Sequence, residues 1–336
     1  MPELRRHQGQ APRDTLLHPV WEPTTAGEPP DEAFVARTLL GAGWVAGKRK
    51  LSMVDLRVWA ALCAMLREQL RDQLRDPTQD SAELRTVHTT GYQLADRVWA
   101  DDGGWQYRAL IRSLVRLRLA DVTVRVIERD PELAVETLHE GWVSLLGEMW
   151  FATTRLDLTR PEQWGALKGN TSLKIEIGRW PAQQVVADRC TWLDLDLLRA
   201  LGPGLPARVW ACLEAWGRWP AHSFDGNEET AIGLGEPALA SLGVASYGKP
   251  ADARRALKRA GARLVAIDPA YESVRCERRG GGWTLVVRRV SGPRARAQAR
   301  SGAAWRSPGI AVAKRQRPER AAVRAKIRDS LADGAP

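Results

Sequence analysis

Cysteine and histidine are scarce in this chain, which has four cysteines and five histidines in 336 residues. The cysteines show no CxxC spacing, and no histidine lies close enough to one of them to suggest a zinc knuckle. The cysteines are therefore interpreted as ordinary reduced thiols. No metal ion or other cofactor is expected.

The motifs of nucleotide hydrolysis and of strand nicking are also missing. There is no GxxxxGKS/T loop to cradle a phosphate, and no His-x-His pair followed by a nucleophilic tyrosine. Asp194 and Asp196 flank a single residue, so on a helix they would face different directions and make poor metal partners. We therefore expect no enzymatic activity, and a nuclease or relaxase is the least favoured class of protein.

Long apolar runs are absent as well. No run reaches the roughly 20 residues that are needed to cross a bilayer. The N-terminus, with Arg5, Arg6 and several prolines, has no apolar signal core. The sequence therefore predicts a cytoplasmic protein with no membrane partner.

Positive charge is what the chain has in excess, with a formal net charge of +10. Of its 50 basic and 40 acidic residues, 13 and 3 lie from Arg288 onward, which leaves 37 of each in the rest of the chain. The body is therefore neutral overall, and binding of nucleic acid has to be argued from local patches of charge.

Composition and hydrophobic patterning divide the chain into four parts, and the predicted fold class is α+β. Residues 1–33 are rich in proline and predict a flexible, disordered leader. Residues 34–160 and 161–290 each predict one winged-helix domain, the second preceded by a short connector with a strand at 172–177 and a helix at 190–201. Residues 291–336 predict a basic, mostly disordered tail.

The first predicted domain has the order helix, helix, turn, helix and hairpin, which is typical of a winged helix. Ser52 and Asp55 predict a capping box at the start of the first helix. Further helices are predicted at 92–99 and 105–119. The alternating valines of 122–126 and the apolar run 142–151 predict the hairpin, which would be the wing.

The same order recurs in the second predicted domain. The string RVWAAL at 57–62 returns as RVWACL at 208–213, and SLVR at 113–116 aligns with ALKR at 256–259. Helices are predicted at 238–242 and 250–260, a strand at 264–267, and a second hairpin through a turn at 278–282. These matches indicate a tandem duplication, with two unrelated helical stretches as the alternative.

Basic residues on the third helix of each domain are the candidate DNA contacts. Arg108, Arg112 and Arg116 are spaced by four opposite an apolar stripe, with Gln106 near the helix N-terminus, where base edges are usually reached. The corresponding candidates in the second domain are Lys249, Arg254, Arg255 and Lys258. The alternative for both helices is a solvated basic face without a partner.

The turn of the second hairpin resembles the tip of a wing. Arg278 and Arg279 precede three glycines, which let the backbone approach a DNA groove closely. Arg125 is the weaker counterpart in the first domain. The alternative is a flexible hairpin tip that contacts nothing.

The two domains, and above all the segment YRALIRSLVRL at 107–117 with its following strand, resemble theta-type plasmid replication initiators of the Rep and TrfA kind over about residues 45–290. The resemblance implies a protein that binds repeated origin sequences, called iterons, in double-stranded DNA. It also implies that the protein opens an AT-rich region with the host replication initiator and recruits the replicative helicase. Exchange between a homodimer and a monomer is implied too. The alternative is a tandem winged-helix transcriptional regulator.

The sequence predicts that residues 34–290 keep sequence-specific DNA binding, because both third helices lie within them. Removing residues 291–336 should leave the sequence preference unchanged and weaken binding to all DNA, since the tail neutralises phosphates without reading bases. Affinity for specific and scrambled DNA across a range of salt concentrations measures this effect. A folded, truncated protein without sequence preference would contradict the prediction.

Overall fold

The computed structural model describes residues 8–12, 16, 21–23, 34–37, 44–47, 50–73, 83–99, 104–130, 135–151, 169–216 and 229–290. Its helices are α1 (Met53–Gln73), α2 (Gly91–Trp99), α3 (Gly104–Leu119), α4 (Arg179–Val186), α5 (Leu195–Leu201), α6 (Leu205–Trp216), α7 (Glu236–Ser241) and α8 (Pro250–Ile267). Its strands are β1 (Gln8–Pro12), β2 (Trp21–Glu22), β3 (Phe34–Arg37), β4 (Trp44–Gly47), β5 (Leu51–Ser52), β6 (Thr86–Thr90), β7 (Asp121–Asp130), β8 (Val135–Ser144), β9 (Leu146–Phe151), β10 (Ser172–Ile177), β11 (Cys190–Asp194), β12 (Glu229–Gly233), β13 (Tyr271–Arg279) and β14 (Gly282–Arg289). The protein therefore has the mixed α+β fold that the sequence predicts.

Reciprocal caps fix the starts of the first two helices. At α1, Asp55 N donates to Ser52 Oγ at 3.2 Å and Ser52 N donates to Asp55 Oδ2 at 2.8 Å. At α2, Gln93 N donates to Thr90 Oγ1 at 3.2 Å and Thr90 N donates to Gln93 Oε1 at 3.0 Å. Each cap satisfies backbone N–H groups that have no partner within the helix. The predicted capping box of α1 is thus confirmed.

Helices α1–α3 share one unit with a three-stranded antiparallel sheet in which β10 lies between β6 and β9. Along the chain this unit has the order helix, strand, helix, helix, strand, strand. The third strand of the sheet thus lies between the first and the second, which is the arrangement expected of a winged helix.

The second unit repeats this arrangement. Helices α6, α7 and α8 accompany a sheet in which β14 lies between β12 and β13, again with antiparallel pairing. The repeated sequence string lies in the first helix of each unit, where Trp59 and Trp210 are both fully buried. The two units therefore share one topology, and the string marks the same core position in each.

The predicted hairpin of the first domain and the predicted strand of the connector have other places in the structure. The hairpin β7–β8 belongs to a four-stranded sheet in the order β3-β4-β7-β8, so it is an insertion between α3 and β9 and not the wing. The strand predicted in the connector is β10, the central strand of the first sheet. Its alternating burial arises because one face of β10 packs on the helices.

Two predicted helix ends are also wrong. The helix predicted from Cys190 begins only at Leu195, because Cys190–Asp194 forms β11 and pairs with β1. The carboxylate of Asp194 caps this helix by accepting from two backbone N–H groups at 3.0 Å. At the other end of the chain, the strand predicted at 264–267 is the last turn of α8, and β13 follows it.

The predicted flexible leader contains part of the core. Strand β1 pairs along its length with β11, and the side chains of Ala11, Leu16 and Trp21 are buried. The buried guanidinium of Arg208, on α6, donates to Leu16 O at 2.7 Å. A fragment that begins at residue 34 would lack these contacts, so the prediction that residues 34–290 suffice is revised to include the N-terminal segment. The domain boundaries themselves stay predictions.

One continuous hydrophobic core joins the two units. Between them lie β1, β11 and α5, and α5 packs against both α2 of the first unit and α8 of the second. This shared layer fixes the third helices of the two units in one packed body. Among the described residues, we find no helix with the length and apolar character to span a membrane.

Gly9 permits the close approach of this layer to α1. A Cβ at this position would lie 2.8 Å from Leu195 Cδ2 and 2.9 Å from Ala60 Cβ. We expect Gly9→Ala to lower the free energy of unfolding by about 1–3 kcal/mol through overpacking, measured by urea denaturation. Gly104→Ala is the control, since a Cβ there meets nothing within 4 Å, and it should not destabilise. Equal stability of both variants would contradict the packing argument.

Candidate nucleic-acid interface

Helix α3 has one face in the core and one in solvent. Leu110, Ile111 and Leu114 are fully buried, and this side packs against α1. Arg108 and Arg112 are exposed on the opposite side, and no hydrogen bond or ion pair joins either of them to another residue in the described ranges. Within the described part of the chain, both guanidinium groups are therefore exposed and unpaired.

Arg116 does not belong to this exposed pair. Its guanidinium binds the carboxylate of Asp55, with Nη2–Oδ1 and Nε–Oδ2 distances of 2.7 and 2.9 Å. Asp55 is fully buried and also accepts from Ser113 Oγ, so Arg116 neutralises a carboxylate within the core. Gln106 is buried as well. The predicted DNA-contacting roles of Arg116 and Gln106 are therefore wrong, because both side chains turn toward α1 or the core.

Helix α8 exposes a longer row of positive charge. Lys258 and Lys249, as predicted, lie on the surface, and neither forms an ion pair with a described residue. Arg259 and Arg263 are exposed on the same helix, equally without an ion pair in the described part of the chain. Neither is among the predicted candidates, although their spacing of four places them on one helical face. Arg255 is exposed but pairs with Asp252 at 3.0 Å, an exposed contact of little strength.

Arg254, one turn before Lys258 on α8, has its guanidinium against the hairpin β13–β14. Its guanidinium carbon is 4.3 Å from the centre of the Trp283 ring, at the start of β14. A cation over an indole face is held by the negative charge of the ring face. Arg254 is thus half-buried at the junction of helix and hairpin, whereas Lys258, one turn further along α8, is exposed.

The hairpin β13–β14 ends in a tight turn at Gly280 and Gly281, whose φ angles of 56° and 82° lie in the left-handed region that glycine adopts without strain. Arg278 is exposed beside this turn and forms no ion pair with a described residue. Arg279 binds Glu229 at 2.7 Å and Glu277 at 3.0 Å. Of the two arginines predicted at this tip, the structure therefore leaves Arg278 available and engages Arg279.

Glu229, on the neighbouring strand β12, neutralises much of the positive charge of this hairpin. Besides Arg279, it faces Arg275 at 4.0 Å and Arg288 at 3.9 Å. The hydrogen bond from Arg279 lowers the pKa of Glu229, and the same bond raises the pKa of Arg279. Arg289 lies inside the unit, where it contacts the buried Glu214 at 3.7 Å. The outer surface of the hairpin is thus less positive than its sequence indicates.

The remaining candidate, Arg125, lies on β7, but its side chain is outside the described part of the structure. In the ranges that are described, no three His, Cys, Asp or Glu side chains lie close enough together to hold a metal ion. Among the predicted candidates that the structure describes, the exposed cations without an ion pair therefore lie on α8 with its preceding residue, on α3 and at the tip of one hairpin.

The fold is similar to crystal structures of domains 2 and 3 of RctB. One of them, of selenomethionine derivatives, has a TM-score of 0.48 and 13% sequence identity, over 82% of this chain and 97% of that chain. The other has a TM-score of 0.45 and 12% identity, over 83% of this chain and 97% of that chain. No protein-family model and no curated protein matches the chain. These likenesses carry no conclusion about function.

Replacement of Arg112 and of Arg116, four residues apart, should have very different effects on stability. Arg116→Ala leaves the buried Asp55 carboxylate without its cation, and we expect a loss of about 3 kcal/mol in the free energy of unfolding. Arg112→Ala removes an exposed side chain and should change that free energy by less than about 0.5 kcal/mol. Chemical denaturation of both variants tests the assignment, which equal losses would refute.

Proposed function

We propose that this protein binds double-stranded DNA at specific sequences, with α3 and α8 each entering a major groove, and that it initiates replication at repeated origin sequences. The observation that supports the proposal is that the two helices have the same position and the same division of faces. Each is the third helix of its unit, packs on the core with one face, and presents cations to solvent on the other.

The exposed cations suit the two kinds of contact that DNA binding requires. Arginine and lysine can bind O6 and N7 of guanine in the major groove, which is the commonest contact to a specific base. Cations along the same helix that do not reach a base can bind phosphates and fix the orientation of the protein. In the second unit, Arg278 at the hairpin tip is available for the neighbouring minor groove or its phosphates.

The shared core between the units favours a site with two parts at a defined spacing. Because both third helices belong to one packed body, docking of one brings the other to the DNA at a high effective concentration. A direct repeat that presents both parts in the same order would bind one molecule per repeat. This behaviour is what an origin built of iterons requires.

The role in replication rests on the resemblance to theta-type plasmid initiators. In this role, the protein opens an AT-rich region together with the host replication initiator and recruits the replicative helicase, without an enzymatic activity of its own. A homodimer that exchanges with the origin-binding monomer belongs to the same proposal. A transcriptional regulator with the same two units would bind DNA equally well, so replication needs its own experiment.

The two helices should contribute separately to DNA affinity. Arg112→Ala and Lys258→Ala should each weaken binding to the specific site by about 1–3 kcal/mol if the side chain contacts a base, and the preference should relax at one position of the site. The double variant should lose far more, because neither unit then holds the other at the DNA. Affinities for the specific site and for scrambled DNA are measured at one salt concentration.

Arg189→Ala is the matched control for these variants. It removes the same charge from an exposed residue in the turn after α4, outside both helices, and should leave affinity for the specific site unchanged. The specific site itself is obtained by selection from a pool of random duplexes with the full-length protein. If Arg112→Ala, Lys258→Ala and the double variant all bind that site like the wild type, α3 and α8 do not read DNA.

Replication is tested with a marker plasmid that carries this gene with its flanking DNA and no other replication origin. Persistence of the plasmid in dividing cells is the expected result, and the Arg112→Ala, Lys258→Ala double variant should abolish it. Loss of the plasmid with the wild-type gene, together with specific binding in vitro, would refute the role in initiation and favour the transcriptional regulator.

A further inference from the structure

The largest exposed aromatic surface on the third helices is Trp105, in the first turn of α3. Its side chain is 61% exposed, although indole is among the side chains that gain most from burial. The ring contacts Trp99, at the end of α2, edge to face, with a centroid distance of 5.8 Å and an interplanar angle of 69°. Trp105 is therefore supported on one side by α2 and open to solvent on the other.

The position of Trp105 on its helix indicates what could cover it. Arg108 and Arg112 follow at spacings of three and seven, so all three side chains lie along one face of α3. The two arginines are exposed and form no ion pair with a described residue. An apolar ring in line with unpaired guanidinium groups matches a ligand with both apolar and anionic parts. The major groove of DNA offers both, as thymine methyl groups and as phosphates or guanine acceptors.

We infer that Trp105 is a specificity-determining residue that reads the 5-methyl group of thymine in the major groove. The inference rests on the proposed function, since it requires α3 to enter that groove. The N-terminal end of a recognition helix is the part that reaches base edges, and Trp105 is in the first turn of α3. The indole has one N–H donor on a large apolar surface, so its main contribution is contact with an apolar group, and the thymine methyl is the apolar group at that edge.

The support from Trp99 is part of the argument. The edge-to-face contact limits the orientations of the exposed ring, so less side-chain entropy is lost when the ring is covered. A preorganised ring can discriminate thymine from cytosine, which presents no methyl group at this position. Trp105 thus extends the reading of the first unit from guanine acceptors to thymine methyl groups.

The test removes single methyl groups from the DNA and the indole of Trp105 from the protein. The probe is the duplex that the full-length wild-type protein selects from random DNA, with each thymine replaced one at a time by deoxyuridine, which lacks only the methyl group. We expect at least one such replacement to weaken wild-type binding about fourfold, the effect of one buried methyl group. The same replacement should leave the affinity of Trp105→Ala unchanged, since that variant has no ring to contact the methyl.

Trp150→Ala is the matched control. Trp150 is 62% exposed, about as much as Trp105, but it lies on β9 and not on a third helix. This variant should show the wild-type response to every deoxyuridine replacement. Trp105→Phe, which keeps an apolar ring, should keep part of the sensitivity that Trp105→Ala loses. A variant that disturbs the folded structure would instead alter binding to all duplexes alike. Thermal unfolding of each variant shows whether the structure is disturbed.

The outcomes separate this inference from the proposed function. If random DNA yields no selected duplex, or if the Arg112→Ala, Lys258→Ala variant binds it like the wild type, the proposed function fails and the inference with it. If those arginine and lysine contacts are confirmed but the wild type is insensitive to every deoxyuridine replacement, only the role of Trp105 is refuted. Equal sensitivity of the wild type and Trp105→Ala would refute it too.

Discussion

The buried carboxylate of Asp55 is the group on which the geometry of the first unit depends. It closes the cap of α1 through Ser52 and binds Ser113 and Arg116 of α3. A buried charge is tolerated only where its hydrogen-bonding capacity is filled, so the position of α3 on α1 is defined by more than apolar packing. In the orientation of α3 that these contacts hold, Arg112 and Arg108 face solvent.

The second unit ties its helices together through a different polar contact. Trp210 of α6 donates from Nε1 to Asp268 Oδ2 at 2.9 Å, and Asp268 lies directly after α8. Its other carboxylate oxygen accepts from Ala270 N at 3.0 Å, where the chain turns into β13. In both units, a buried aspartate thus connects the first helix with the third. Asp55 lies at the start of the first helix of its unit, and Asp268 lies after the end of the third helix of the other. The orientation of each exposed basic face follows from a contact in the core.

The features of this fold that could be predicted are those that short stretches of sequence encode. The Ser52–Asp55 cap has its partners three residues apart, and the third helices are defined by the periodicity of their apolar residues. The ion pair of Arg116 could not be predicted, because its partner is 61 positions away and a spacing of four fits an exposed row equally well. The branched residues at 264–267 indicate a strand, but α8 continues through them while Gly261 packs tightly on Val274 of β13.

The residues of the candidate site also divide into those that local sequence predicts and those that depend on distant contacts. Arg112 and Lys258 were predicted from helical periodicity, which depends only on neighbours along the chain. The engagement of Arg279 by Glu229 was not, because it requires the pairing of β12 with β14. Arg259 and Arg263 were not among the candidates, although their spacing is visible in the sequence.

The pairing of β1 with β11 has a consequence for how the chain folds during synthesis. Gln8 is among the first described residues, yet its register partner is Asp194, so this contact closes a very long loop. At ribosomal rates of about 5–20 residues per second, β1 leaves the ribosome roughly 10–40 seconds before its partner strand. Until then its backbone N–H and C=O groups are unpaired, and the apolar layer between the two units is incomplete. The N-terminal strand therefore pairs only after the first unit has been synthesised, although it precedes that unit in the chain.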